Sequence, residues 1–361
     1  MDRIVRVGII GCGGISNGKH MPSLKRVPNV QMVAFCDLIE ERAVKAAREF
    51  GTPDAKVYTD YRELLKDETI EVVHVLTPNR EHSEISIAAL QAGKHVMCEK
   101  PMAKTAEDAR KMYEAAKASG KRLTIGYQNR QLPSVKYAKK FIDTGAMGEI
   151  YYANCYAMRR RGTPNWGVFL DEEAQGGGPI IDIATHSLDV TLHLMQNYEP
   201  KMVLGKTHKK LEHPEAGNIW GDHGVSSTAL EEAACAIIIM KNGATIMLET
   251  SWALNIPGDD QRGLCTLCGS KAGMNVKPDK LTINKVELDR PVDTVVNLDA
   301  GGVDFFDGAT SNPADAEARQ WIDSIVHDTT PDVLPEEALV VSEILEAIYV
   351  SSKTGKPVYF E

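Results

Sequence analysis

The chain has 361 residues, 43% of them hydrophobic, with 41 basic side chains against 50 acidic ones and a formal charge of −9. That length is a prior for two domains. The acidic balance, without a long basic run, argues against a nucleic-acid partner, and no apolar stretch approaches a membrane span. The N-terminus lacks a signal-peptide pattern, and the seven cysteines lie mostly in apolar runs, which fits reduced thiols and a cytoplasmic location.

The chain opens with Val5-Arg6-Val7-Gly8-Ile9-Ile10, an apolar, β-branched run that reads as a buried strand. Gly11-Cys12-Gly13-Gly14-Ile15 follows at once. Gly11 permits a tight turn, Gly13 has no Cβ to keep a phosphate off the backbone, and a helix from Gly14 would aim free N–H groups at a pyrophosphate. Ser16 holds the third position of the pattern, where Gly or Ala is usual. Asp37, about 20 residues further on, ends a second strand-like run. A carboxylate there accepts hydrogen bonds from both ribose hydroxyls and repels a 2′-phosphate, so the expected cofactor is NAD.

Strand signals at 4–10, 31–36, 71–76, 95–99 and 122–126 alternate with helical ones at 14–27, 40–50, 60–66, 81–92 and 106–118. That alternation predicts a parallel sheet with right-handed crossovers, which binds ligands beyond the carboxyl ends of its strands. The residues at those ends are the candidates. Thr77, Pro78, Asn79 and nearby His82 follow the third strand signal, where a turn with a helix cap is the plain reading and cofactor contact the functional one. Glu99-Lys100-Pro101 stands where a buried strand emerges. A lysine so placed either forms a surface ion pair or meets a substrate hydroxyl. Tyr127-Gln128-Asn129-Arg130 closes the series, and the first domain is taken as residues 1–128.

From there the pattern changes. A helix near 133–143 precedes long strand signals at 149–158, 202–209, 233–240, 244–253 and 263–268. Lys241-Asn242-Gly243 is a hairpin signal. Residues 129–361 are therefore expected to form an α+β domain around one large, open, mostly antiparallel sheet. A tail helix at about 335–353 could pack back on the first domain. Gly176-Gly177-Gly178-Pro179 reads as a flexible approach to a helix whose first position suits Pro179. Helical spacing puts Asp182, His186, Asp189 and His193 on one stripe. The remainder of that helix is apolar, so the stripe is expected to line a cleft, with Asp182 orienting the His186 imidazole. The same spacing could ligate zinc, and Cys265 and Cys268 form a lone CxxC. Positions i and i+3 of a strand face opposite sides, and a neighbouring dinucleotide site makes a metal unnecessary, so none is expected.

These motifs together resemble the glucose–fructose oxidoreductase / inositol dehydrogenase / MocA family, and the likeness spans the chain. It rests on Gly11 to Ile15, Thr77-Pro78-Asn79 with His82, Glu99-Lys100-Pro101, Gly126 to Arg130, and Gly178 with Asp182, His186 and Asp189. The resemblance implies a nicotinamide-dependent oxidoreductase acting on a sugar, polyol or glycoside, with Lys100, Asp182 and His186 as the catalytic set. It also implies a homo-oligomer assembled through the open sheet. Cofactor contacts then fall to Gly11, Cys12, Gly13, Gly14, Ile15, Asp37, Thr77, Pro78, Asn79, His82, Glu99, Lys100 and Gln128. The run from Arg159 to Phe169 looks like that of a subgroup oxidising the carbon-3 hydroxyl of glucosides. This adds Arg130, Tyr156, Arg159, Arg160 and Trp166 as candidate substrate contacts beside Asp182 and His186. Two alternatives share these residues: a glycoside-cleaving enzyme that cycles NAD through a 3-keto intermediate, and a non-catalytic sugar- and NAD-binding protein.

Overall fold

The computed structural model describes residues 3–211, 217–221, 230–258, 260–261, 263–298 and 312–361. They fall into two units, residues 1–128 with 310–339 and residues 129–309 with 340–361.

The first unit is built on β1 (Val5–Ile10), β2 (Val30–Cys36), β3 (Lys56–Tyr58), β4 (Val72–Val75), β5 (His95–Cys98) and β6 (Leu123–Ile125), in the order β3-β2-β1-β4-β5-β6. All of its pairings are parallel. The central strands read as near-continuous apolar runs because both faces are covered. The connecting helices start and stop where local chemistry dictates. Thr105 Oγ1 accepts the Asp108 N–H at the head of Ala106–Ser119, and Gly120 ends that helix at φ +64°. β3, too short to register as a strand in sequence, lies at the sheet edge.

The first unit also holds the helix Pro313–Val326, which the sequence reading left within the second domain. Asn312 caps it, and Trp321, Ile322 and Ile325 join the core around Val5, Val7 and Phe35. The tail helix Pro335–Thr354 begins in the first unit. From Val340 onward it belongs to the second unit. There Ser351 Oγ accepts the Gly205 N–H at 3.0 Å and Ser352 Oγ that of Thr207 at 3.0 Å.

The second unit is organised around β7 (Ile150–Met158), β8 (Pro200–His208), β9 (Ala233–Met240), β10 (Thr245–Ser251), β11 (Cys265–Gly269), β12 (Gly273–Val276), β13 (Leu281–Glu287), β14 (Arg290–Val296) and β15 (Val358–Tyr359). Their order is β14-β13-β12-β11-β7-β10-β9-β8-β15, parallel at β7–β10 and antiparallel elsewhere. Gly243, at φ +90°, makes the β9–β10 hairpin turn. Along β10, Ile246, Leu248 and Thr250 are buried while Thr245, Met247 and Glu249 are not, as expected for a sheet covered on one face. Among the described residues no helix is long and apolar enough to cross a membrane.

Candidate active site

On the first unit, the turn after β1 is shaped by glycine. Gly11 sits at φ +92°, and a Cβ there would meet the Leu76 carbonyl group. Around Gly13 and Gly14, by contrast, a Cβ would meet nothing within 4 Å, so the backbone is open to a ligand. Ser16, the small side chain at the third position of the pattern, is fully buried. The helix beginning at Gly14 passes through a π turn at Ser16–His20, and Lys19 and His20 are both buried there.

Asp37 follows β2. Its Oδ2 accepts the Cys12 N–H at 2.8 Å and its Oδ1 the Ile39 N–H at 2.9 Å. Thr77, after β4, keeps a buried Oγ1 without a hydrogen-bond partner. An open glycine turn, a carboxylate at the end of the second strand and an orphaned hydroxyl beyond the fourth together fit a dinucleotide: Gly11 to Gly14 for its pyrophosphate, Asp37 for a ribose, Thr77 for a polar atom further along.

Two residues assigned to cofactor contact in the sequence have other partners here. His82 is fully buried, with Nδ1 2.8 Å from the Pro101 carbonyl oxygen and Nε2 3.0 Å from that of Thr77. It ties the loop after β4 to the loop after β5, and burial lowers its pKa. Glu99 is buried at the centre of a charged cluster. Its Oε1 accepts from Lys19 Nζ at 2.8 Å and lies 2.7 Å from His20 Nε2, and its Oε2 accepts the Lys100 N–H at 3.0 Å. Lys19 Nζ also lies 2.9 Å from Glu317 Oε2. Burial raises the Glu99 pKa, but Lys19 and His20 outweigh it and hold the carboxyl well below its usual range. Glu317 pairs with Lys19, but there burial wins and the pKa is raised. Glu99 thus anchors the main chain at Lys100. Gln128 is half-buried in the turn after β6, and Asn79 is buried after β4.

On the second unit, the glycine run is a packing device, contrary to the flexible approach expected. Gly177 and Gly178 are buried, and a Cβ at either would strike Tyr349 or the Glu231 backbone. The Glu231 carboxylate accepts N–H groups of Gly178 and Ile180 at 3.1 and 3.2 Å and the Tyr349 hydroxyl at 2.7 Å. That set of bonds caps the segment bearing the polar stripe. A π turn at Ile180–Ala184 precedes the helix Thr185–Met195, so the regular spacing assumed in sequence breaks across Asp182.

The stripe divides accordingly. Asp182 accepts the Trp252 indole N–H at 2.9 Å and lies 3.7 Å from the Arg159 guanidinium. Asp189 does not line a cleft: it is fully buried and paired with Arg130, whose Nε and second terminal nitrogen reach it at 3.0 and 2.5 Å. His193 lies near the same arginine, and burial, followed by the Arg130 charge, lowers its pKa to about 3. His186 is half-buried one turn beyond Asp182.

Of the candidate substrate contacts, Arg130 is committed to Asp189. Tyr156 is turned elsewhere. Its neighbour Cys155 faces Thr191 of the helix, so Tyr156 projects from the opposite face of β7, over Gly263, with its hydroxyl 3.1 Å from Asn275 Oδ1. Arg160 lines a cavity of about 750 Å³ with Arg161, Ile219, Leu254, Ile256 and Asp260, which none of Asp182, His186 or Trp166 borders. Arg159 lies beside Asp182, and Trp166 packs on Trp220, whose ring the Arg159 guanidinium overlies. Trp252, Trp220, Lys19, His20, Glu231 and Glu317 were not singled out in sequence. Each reads there as an ordinary strand, loop or helix residue, and its partner is far along the chain. Among the described residues no group of three or more His, Cys, Asp or Glu side chains is arranged to hold a metal.

A parallel six-stranded sheet with a glycine turn and an acidic second strand end defines the first unit as a dinucleotide-binding fold, here followed by a large, mostly antiparallel sheet. Residues 5–127 match the model of the GFO/IDH/MocA oxidoreductase family with its NAD-binding Rossmann fold, and residues 135–275 match the GFO/IDH/MocA C-terminal domain. D-glucoside 3-dehydrogenase of Escherichia coli K12 is 31% identical over 97% of this chain and 96% of its own length. The fold is shared with an oxidoreductase domain protein from Kribbella flavida, at a TM-score of 0.86 and 21% identity over the whole of both chains. It is shared too with a levoglucosan dehydrogenase solved with NADH and levoglucosan, at 0.83 and 24% over 99% of each. The chain belongs to the Gfo/Idh/MocA family of oxidoreductases, and its cofactor is NAD.

Proposed function

We propose that the protein oxidises a secondary hydroxyl of a glycoside, the carbon-3 hydroxyl of a glucoside being the favoured position, with Lys100, Asp182 and His186 as the catalytic set. The name of the E. coli relative and the Arg159 to Phe169 run support the substrate class. The observation that carries the reading is the setting of Asp182. Its carboxylate receives an indole N–H and faces a guanidinium, in the polypeptide segment that also bears His186. Bound NAD supplies the hydride acceptor. His186 takes the hydroxyl proton, because an imidazole titrates nearer neutrality than an ammonium group. Asp182 holds the imidazole and stabilises its charged form. Lys100, fixed through its N–H by Glu99, offers its cation to the oxygen as negative charge develops.

We also read the protein as a cytoplasmic homo-oligomer assembled through the open face of the second sheet. All seven cysteines are unpaired thiols, and Leu204 and Val286 stand exposed on that face. The test is product analysis with a panel of sugars and glycosides. NADH formed in step with a keto-glycoside supports the reading. Aglycone release without NADH would replace it with the NAD-cycling enzyme.

A further inference from the structure

Beyond Asp182 lies a run of exposed aromatic and aliphatic side chains that nothing in the fold explains. Trp166 is 50% exposed, Val168 37%, Ile219 61% and Trp220 38%, although two separate loops supply them. Exposed apolar groups clustered in this way mark binding surfaces more often than scattered single ones do. The cluster is ordered internally. Trp166 meets Trp220 edge to face with centroids 4.9 Å apart, and Phe169 meets Trp166 in the same manner at 5.8 Å. The two loops are stitched together. Asn165 Nδ2 donates to the Trp220 carbonyl at 2.6 Å, Asn218 Nδ2 to that of Thr163 at 2.9 Å, and the Ile219 N–H to that of Arg161 at 3.2 Å.

The cluster is also continuous with the reactive carboxylate. The Arg159 guanidinium carbon lies 5.2 Å from the centre of the Trp220 ring, and a terminal nitrogen of the same group lies 3.7 Å from Asp182 Oδ2. A cation over an indole face holds the ring and the guanidinium in register. A chain of contacts therefore runs from Asp182 through Arg159 to Trp220 and Trp166.

We propose that Trp220 and Trp166, with Phe169 at their edge, form a stacking platform for the aglycone of a glycoside whose hexose is presented to Asp182 and His186. The proposal rests on the function proposed above and adds what that reading does not contain, a preference for substrates with a ring beyond the glycosidic bond. An aryl group or a second pyranose offers a flat or C–H-lined face that matches the indole surface, while a methyl aglycone offers almost none. Burying part of these two indoles gives the ligand apolar contact without moving the polar groups around Asp182.

The test compares phenyl β-D-glucoside with methyl β-D-glucoside in the NAD-loaded enzyme. In Trp220→Ala, and in Trp166→Ala, the ratio of kcat/KM for the phenyl to the methyl substrate should fall tenfold or more, carried by KM for the phenyl compound. Tyr359→Ala, which removes an exposed aromatic on β15, should leave the ratio as it is. Calorimetric titration of phenyl β-D-glucoside into the NADH-loaded enzyme reads the platform without turnover. Binding that is weakened in Trp220→Ala, in an enzyme that forms no NADH from either glucoside, would sink the net-oxidation reading and keep the platform. An unchanged ratio and unchanged binding, in an enzyme that does oxidise glucosides, would overturn the platform alone. A change of oligomeric state in Trp166→Ala with no change in the ratio would overturn it in favour of a contact between copies.

Discussion

The Cys12 N–H donates to Asp37 Oδ2 at 2.8 Å, so the carboxylate at the end of β2 is fastened to the glycine turn that follows β1. Burial, followed by that carboxylate, pushes the Cys12 thiol up to about 12, which leaves Cys12 an inert packing group at neutral pH. One side chain therefore both shapes the turn and sets the charge that a ribose would meet.

Asp37 should make NAD preferred over NADP. Carboxylate–phosphate repulsion and lost ribose hydrogen bonds together oppose the 2′-phosphate by about 2–3 kcal/mol. Asp37→Asn retains an acceptor for Cys12 and removes the charge, so it should narrow the ratio of the two dissociation constants by tenfold or more without lowering Tm appreciably. Asp37→Ala should narrow the ratio and lower Tm as well. Fluorescence titration with both cofactors checks this, and equal or tighter NADPH binding by the native chain would contradict it.

Arg130 and Asp189 make a prediction about stability. Arg130→Met leaves a buried carboxylate without its partner, at a cost of about 3–5 kcal/mol. Arg130→Met combined with Asp189→Leu should recover most of that loss, because the pair is replaced by apolar volume. Urea denaturation reads both. A single variant with native stability and a raised KM would return Arg130 to the substrate site.

Two histidines give the chain an acid-sensitive window. Burial, then Lys121 and Arg122, lowers the His95 pKa to about 4; Arg3 adds to this and Asp328 opposes it. His95 Nδ1 also accepts the Arg122 N–H at 3.0 Å, which requires an unprotonated nitrogen. Burial, then Arg130 and Lys139, lowers His193 to about 3 against the opposing Asp143. Each ring has a folded pKa below its unfolded one, so the unfolded chain binds more protons between them. Stability is therefore full above about pH 6.5 and is lost as the pH falls toward 4. With discount for partial exposure, each ring should contribute about 1 kcal/mol of loss at pH 5. The urea midpoint at pH 7 and pH 5 measures it. His95→Gln with His193→Gln should reduce the difference, the remainder falling to His74 and His82, whose pKa values burial also lowers, and an undiminished difference in that double variant would refute the assignment.

Much of the first unit was legible because its strands and helices follow strong local signals. Glu40–Phe50 and Ala106–Ser119 fall where the helical pattern placed them, and the glycine turn and Asp37 stand at the ends of the two strands that the sequence pattern indicated. What was not legible is non-local. The helix Pro313–Val326 returns to the first unit because Trp321 completes its core, a pairing that no local pattern encodes. The π turns at Ser16–His20 and Ile180–Ala184 interrupt the helical spacing, so Asp189 faces Arg130 while Asp182 faces Trp252 and Arg159. Alternation along β7 put Tyr156 on the far face, which depends on knowing that Cys155 meets the helix. The later strands β12 to β15 are short or polar, and their pairing is set by the hairpins they form.

The central claim is that Lys100 and His186 serve one hydride transfer from a glycoside hydroxyl. The most direct measurement is NADH formation from phenyl β-D-glucoside by the native chain, Lys100→Ala and His186→Ala, with the sugar product analysed alongside. The native chain should form NADH and keto-glycoside in equal amounts, and each variant should lose on the order of 100-fold or more in turnover. NAD affinity should be nearly unchanged in His186→Ala and weaker in Lys100→Ala. Near-native turnover by His186→Ala across the pH range, or phenol released by the native chain without NADH, would contradict the account.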